Sequence, residues 1–386
     1  MTLPLRKVVF WTHLASGLTA GLVIVIMSVT GVLLTYQRQM TEWSDRQYWT
    51  SPSRIGERAP LSRLVAAARS YDPETDVPRI VFYADPDGPV AALFPGGRTL
   101  YLDPSTAEVR GENTTGMRAF FREVLRWHAR LGLAGDALPF GRAATGWSSA
   151  IFLFLVFSGL YLWVPKGWTR RHLAPILLFR RGVRGKARDF NWHNVFGFWV
   201  ALPLALVVAT AITIAFPRVG DFSVRVVGRA PPVPDSASTA RAAPETGADP
   251  TPTPGPFDVT SADGLVATAM SKVDDWRTIT VSLPDETGAP VVFRIDRGWG
   301  GSPRDQSTLR LDPVTGAEEA YVTFEARPRR ARFRSYLRFA HTGEYYGILG
   351  QTIAGIASFA AVLLVWSGFA LAWRRLIRPL IGRGQA

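Results

Sequence analysis

LASGLTAGLVIVIMSVTGVLLTY, residues 14 to 36, runs for 23 positions without a charged side chain. As an α-helix it is long enough to cross a hydrocarbon core of about 30 Å. Arg6 and Lys7 precede it as the basic start of a signal peptide would. SVTGVLLTYQ carries no small-x-small cleavage pattern, however, so the segment reads as a retained anchor. Three further runs have the same character: 143 to 165 (AATGWSSAIFLFLVFSGLYLWVP), 195 to 217 (VFGFWVALPLALVVATAITIAFP) and 348 to 373 (ILGQTIAGIASFAAVLLVWSGFALAW). Four crossings put both termini on one side.

Basic residues choose the side. Arg6 and Lys7, eight Lys and Arg between 166 and 188, and Arg374, Arg375, Arg378 and Arg383 face a single acid, Asp189. Removing those fourteen bases and one acid from the 44 and 31 of the whole chain balances the remainder, so the net +13 sits in these segments. The positive-inside rule makes them cytoplasmic. Anionic lipid on that face accounts for the charge, and nucleic acid is not the expected partner. The chain has no cysteine, which excludes iron–sulfur clusters, disulfides and covalent haem attachment through Cys-x-x-Cys-His.

The segments between spans one and two and between spans three and four follow one plan. In the first, PLSRLVAAARSY (60 to 71) reads as an amphipathic helix, followed by the strand-like runs RIVFYA, VAALFP and RTLYLDP. In the second, SADGLVATAMSKV (261 to 273) precedes TITVSLP, VVFRID and STLRLDP. YLDPSTAEV (101 to 109) and RLDPVTGAE (310 to 318) share Leu-Asp-Pro-x-Thr, a turn signature, so the chain is an internal repeat. The Pro- and Ala-rich stretch 228 to 256 reads as an extended spacer.

Duplicated modules ending in Leu-Asp-Pro-x-Thr, WTHLASG followed by VTG (29 to 31), WHARLG with SGLYLWVPK (158 to 166), and AHTGEYYG with WSGFALAW (340 to 347, 366 to 373) resemble the PepSY-associated transmembrane proteins. The resemblance covers nearly the whole chain. It implies an association with iron uptake and, by likeness to the members that are siderophore reductases, an inner-membrane haem protein. The expected fold class is an integral membrane α-helical protein, a four-helix transmembrane bundle with two small periplasmic α+β modules. In chain order this gives residues 1–36 as cytoplasmic N-terminus and first span, 37–118 as first module, 119–165 as periplasmic helix and second span, and 166–190 as basic loop. There follow the third span (191–217), the Pro-rich linker (218–256), the second module (257–333), a periplasmic helix with the fourth span (334–373), and the cytoplasmic tail (374–386).

Five histidines are present. His13 and His193 open spans one and three at equal depth on the cytoplasmic side, and His128 and His341 precede spans two and four on the outside. Imidazoles paired at one depth on different helices of a bundle can hold haem iron from both axial sides. These four are the predicted ligands of two haem b groups, His13 with His193 and His128 with His341. His-x-x-x-Gly places Gly17, Gly132 and Gly197 one turn on, where a flat macrocycle could lie. Trp127, with Trp11 and Trp192, is placed at the rim. Arg126, with Arg122, Arg142, Arg334 and Arg338 outside and Arg6, Lys7 and Arg188 inside, is placed to meet propionates. Gly31, Gly159 and Gly368 read as helix-packing positions, and His172 as facing solvent or headgroups. His341 lacks the following glycine, and GDALPFG (135 to 141) separates His128 from its span.

The expected function is a di-haem reductase of the bacterial inner membrane that delivers electrons to a periplasmic ferric siderophore and releases Fe(II). No dinucleotide fingerprint is present, so the donor is external, a quinol or a cytosolic flavoprotein. The alternatives are a non-enzymatic periplasmic binding or regulatory protein and a siderophore or iron transporter. Trp276 and Trp299 are either ligand contacts or core residues of the second module.

Overall fold

The apolar run from Leu14 forms most of a helix that starts earlier, α1 (Leu5–Leu34). The computed structural model describes residues 4–49, 58–77, 79–113, 116–165, 167–227, 257–284, 288–298 and 300–378. The Pro-rich stretch 228–256, Lys166 and Trp299 lie outside the described residues. In chain order α1 is followed by α2 (Gln37–Asp45), α3 (Leu61–Tyr71), β1 (Arg79–Tyr83), β2 (Val90–Leu93), β3 (Thr99–Leu102), β4 (Val109–Glu112) and α4 (Met117–Arg130). Then come α5 (Leu138–Trp163), α6 (Arg170–Leu177), α7 (Gly185–Ala215), α8 (Pro217–Val227), α9 (Asp263–Ser271), β5 (Thr278–Ser282), β6 (Val291–Asp296), β7 (Gln306–Leu311), β8 (Glu318–Val322), α10 (Arg329–His341) and α11 (Gly347–Leu376). They form two units, one built on the long helices and one from Arg38–Ala119 with Val226–Phe333.

Among the described residues four helices are long and apolar enough to cross a membrane, namely α1, α5, α7 and α11. They are apolar on every side, as spans are. α1 and α7 each pack against both α5 and α11, so the cyclic order is α1–α5–α7–α11 and α1 lies diagonally opposite α7. Val156, Val200, Leu204, Val208, Ala357 and Ala361 fill the interior, while Leu22, Phe157, Leu202 and Phe359 point outward. Small residues permit close approach. A methyl group on Gly21 would strike the Phe369 ring at 2.5 Å.

The break expected at GDALPFG is a turn that brings the end of α4 against the start of α5. α4 ends at Arg130, and Leu131 and Gly132 take positive φ angles of 55° and 75°. A Cβ on Gly141 would lie 2.3 Å from the Arg130 carbonyl, and the Thr145 hydroxyl donates to the Ala129 carbonyl at 3.0 Å. The second half repeats the device: α10 ends at His341, and a Cβ on Gly350 would lie 2.3 Å from the Gly343 carbonyl. The histidine-bearing helices are thus docked on the bundle.

The two expected modules are one sheet. Its order is β4-β3-β2-β1-β5-β6-β7-β8, antiparallel throughout, with β1 and β5 joined from Arg79↔Ser282 to Tyr83↔Thr278. Each four-stranded half alone would leave RIVFY or TITVS as an unpaired edge, and pairing satisfies both. The alternating apolar residues of both halves, among them Ile80, Phe82, Leu102, Ile279, Phe293 and Leu309, share one core with α3 and α9. Asp263 at the start of α9 accepts from the Ser62 backbone N–H and hydroxyl at 2.7 and 2.6 Å, tying the two helices together. Trp276 packs on this core. VRGE and EEAYV, which carry no clear apolar alternation, add the edge strands β4 and β8.

The repeated Leu-Asp-Pro-x-Thr forms the same turn twice. Asp103 accepts from the backbone N–H of Ser105 and Thr106, and Asp312 from Val314 and Thr315. Burial works against the Asp103 charge, but Thr106, Arg110 and Ser105 together hold its carboxyl down at about 2.

Candidate functional site

His13 and His193 lie on the diagonal helices α1 and α7. His13 Nδ1 is 2.8 Å from Ser158 Oγ on α5, and His193 Nδ1 is 3.0 Å from Ser367 Oγ on α11. Each serine hydroxyl spends its own proton on its helix, Ser158 on the Phe154 carbonyl at 2.7 Å and Ser367 on the Leu363 carbonyl at 2.7 Å. Neither oxygen has a second proton to give, so Nδ1 carries the hydrogen and donates.

The other pair obeys the same logic with different acceptors. His128 Nδ1 is 3.0 Å from both the Met27 carbonyl and Thr30 Oγ1. His341 Nδ1 is 2.9 Å from the Val207 carbonyl and 3.3 Å from Thr210 Oγ1. A carbonyl only accepts, so here too Nδ1 bears the hydrogen. In the neutral rings all four Nε2 atoms are then the ones with an available electron pair. This is how a metal-bound histidine is oriented by its surroundings.

In the second pair the rings lie close together. The ring centres of His128 and His341 are 6.2 Å apart, inclined at 53°. Two imidazoles bound end-on to one metal, with bonds of about 2.0 Å, hold their ring centres about 6 Å apart. His13 and His193 are within electrostatic reach of each other. Thr30 lies seventeen residues beyond His13 on α1, and Thr210 seventeen beyond His193 on α7, so the two pairs are separated by about 25 Å of helix.

The glycines against the imidazoles are not those of His-x-x-x-Gly. A Cβ on Gly159 would meet His13 Cε1 at 3.4 Å, one on Gly368 would meet His193 Cε1 at 3.5 Å, and one on Gly31 would meet His128 Cε1 at 3.5 Å. Gly31, Gly159 and Gly368, read from sequence as packing positions, therefore keep space beside three of the rings. VTG, SGL and SGF carried the signal: a hydroxyl residue followed by glycine recurs in three spans. Gly17 and Gly197 face Leu155 and Leu364 instead. Gly132 is not on a helical face. It lies in the turn after α4, where a Cβ would come within 2.9 Å of Trp127.

Of the expected rim and propionate residues, Trp127 is half exposed over that turn. Arg126 donates to Glu123 at 2.7 Å, and its Nε is buried with no acceptor among the described residues. Arg6 is committed to the Leu162 and Val164 carbonyls at the end of α5. Arg188 stands over both Trp192 and Trp366 and pairs at 2.9 Å with Asp189, a fully buried carboxylate that Arg374 also reaches at 3.1 Å. His172 is exposed beside Thr169.

These residues fit haem. Two imidazole pairs present Nε2, glycines leave room beside the rings, and an orphaned guanidinium nitrogen lies beside the His128 turn. Among the described residues no cluster of three or more His, Asp or Glu is set to hold a bare metal ion.

A family model described as the PepSY-associated TM region matches residues 10–375. No curated protein matches the chain. With nearly its whole length matched, the chain belongs to the PepSY-associated transmembrane family.

Proposed function

We propose that this member of the PepSY-associated transmembrane family holds two haem b groups, between His13 and His193 and between His128 and His341, and acts as an inner-membrane reductase of a periplasmic ferric siderophore. Haem supplies a one-electron Fe(III)/Fe(II) couple, and two histidines per iron leave no position open for substrate, which suits outer-sphere electron transfer. The observation carrying this reading is that four imidazoles, at two levels of one bundle, are all fixed with Nδ1–H engaged.

The chain's own contribution is orientation and exclusion of water. Ser158, Ser367, Thr30 and Thr210 hold the rings, and the apolar interior between the two levels keeps them dry. The donor, a quinol or a cytosolic flavoprotein, delivers electrons at the end carrying His13 and His193. One electron converts the chelated Fe(III) to Fe(II), a softer ion that oxygen ligands hold less tightly, and the metal is released for uptake.

A dithionite-reduced minus oxidised spectrum of the detergent-solubilised chain, with haem counted per polypeptide, tests this reading. Two haems, reoxidised on addition of a ferric siderophore with appearance of Fe(II), support it. The eight-stranded sheet with a core of its own favours a second reading, a non-enzymatic periplasmic binding protein. Protein expressed with ample haem yet lacking a Soret band would decide for the second.

A further inference from the structure

The sheet has two faces. One packs on α3 and α9, and the other is treated differently by the two halves. In the first half that face is closed: Ala91, Thr99 and Tyr101 are all buried. Tyr48 stacks on Tyr101 with ring centres 4.4 Å apart, and Asp45 at the end of α2 binds both Asn113 and Arg118.

In the second half the equivalent positions are basic and open, and β1, the first-half strand that joins it, adds Arg79 to the same face. Strand pairing places Arg79, Ser282, Val292 and Arg310 in one row across β1, β5, β6 and β7, and Val81, Thr280, Arg294 and Thr308 in the next. The repeat aligns Arg310 with Tyr101 and Arg294 with Leu93. Arg79 and Arg294 are exposed, and Arg310, Thr280 and Thr308 are half-buried. Arg327 reaches across to the Gln306 carbonyl at 3.4 Å and lies within electrostatic range of Arg294 and of Glu325. Among the described residues no carboxylate pairs with Arg79, Arg294 or Arg310. Of the carboxylates near this face, Asp296 is 7% exposed and occupied by the Gly298 N–H and Gln306 Nε2, and Glu42 of α2 lies toward Tyr83 and Arg277.

We propose that this face is a binding site for an anionic ferric chelate, one whose iron is wrapped by catecholate or carboxylate oxygens with net negative charge. Guanidinium groups at diagonal sheet positions stand about 7–8 Å apart at their bases and converge on a rigid plane. Each offers two parallel N–H donors to paired oxygens. Thr280 and Thr308 add hydroxyl donors between them, and Val81 and Val292 give an apolar floor for the ligand's rings or methylenes. Opposed guanidiniums gain by accepting an anion, whereas a cationic chelate meets only repulsion. This site deepens the reductase reading and rests on it for the identity of its ligand.

The test uses full-length solubilised protein and gallium(III) complexes, which cannot be reduced, so binding is read without electron transfer. Calorimetric titration with a gallium tricatecholate should show binding that weakens with salt, and a gallium trihydroxamate bearing a free ammonium should bind at least about tenfold more weakly. In R294E/R310E the tricatecholate should lose at least about tenfold in affinity. R294K/R310K, keeping charge without the fork, should fall between. Circular dichroism and the Soret band should be unchanged in both variants. Equal affinity for the two complexes in the wild type, or unaltered tricatecholate binding by R294E/R310E, would overturn the site. Failure of the reductase reading shows separately, as protein that binds the gallium complex but carries no haem.

Discussion

The bundle and the sheet are both made by repetition, yet they use the repeat in opposite ways. In the bundle the halves keep the same polar contacts: His13 with Ser158 answers His193 with Ser367, and His128 with Met27 and Thr30 answers His341 with Val207 and Thr210. In the sheet the halves share strand order and turn but have parted on one face, where Tyr101 and Leu93 stand against Arg310 and Arg294, and the first half carries the Asp45–Arg118 pair. In the proposed haem sites each iron would need both imidazoles of a pair, which would leave the bundle little room to diverge. A sheet face needs only one half to be filled for the fold and leaves the other open.

The comparison is most exposed to substitution of the histidines. His13→Ala and His193→Ala should each lower the haem count from two to one, and to the same level. His128→Ala and His341→Ala should remove the other haem. Unequal losses within a pair, measured by pyridine haemochrome per polypeptide, would break the symmetry claimed for the bundle.

In the sheet the expectation is inequality. Asp45→Ala strips the partly buried Arg118 of its carboxylate and Asn113 of its acceptor, and should cost about 2 kcal/mol in chemical unfolding. Arg327→Ala, in the second half, removes a charge that faces Arg294 and should change stability by less than about 0.5 kcal/mol. Comparable costs would mean that the two faces are built alike.

Much of the bundle was legible because spans need unbroken apolar length and because only five histidines had to be placed. Depth along the spans suggested which histidines share a level, and the His128 and His341 rings do lie 6.2 Å apart. Which glycines sit beside the rings was not legible. A residue four places on shares a helix with the histidine, but the neighbours of an imaged ring lie on another helix, so Gly31, Gly159 and Gly368 outrank Gly17 and Gly197. Gly132 fell outside the pattern because α4 ends two residues before it. The sheet strands were read from alternation, but their union was hidden, since an edge strand with a period of two does not declare what pairs with it.

Smaller effects refine both sides. Ser158→Ala and Ser367→Ala should weaken haem retention by about 10–100-fold and equally, because each removes the acceptor that orients Nδ1–H. Thr30→Val and Thr210→Val should do less, since the Met27 and Val207 carbonyls remain.

Asp103→Asn should cost about 1 kcal/mol, and Asp312→Asn, in the exposed copy of the turn, should cost less. The Asp103 carboxyl is held at about 2, below its unfolded value of about 3.9. Its stabilisation is therefore complete above the unfolded value and lost as pH falls through about 2. Acid unfolding of wild type against Asp103→Asn, followed by tryptophan fluorescence, checks that window.

The central claim is that four histidines in two levels hold two haems. It is tested most directly by counting haem per chain in the reduced minus oxidised spectrum of the wild type beside the four single His→Ala variants. The account predicts two haems in the wild type and one in every variant. Full haem content in all four variants, or no Soret band in the wild type expressed with ample haem, would contradict it.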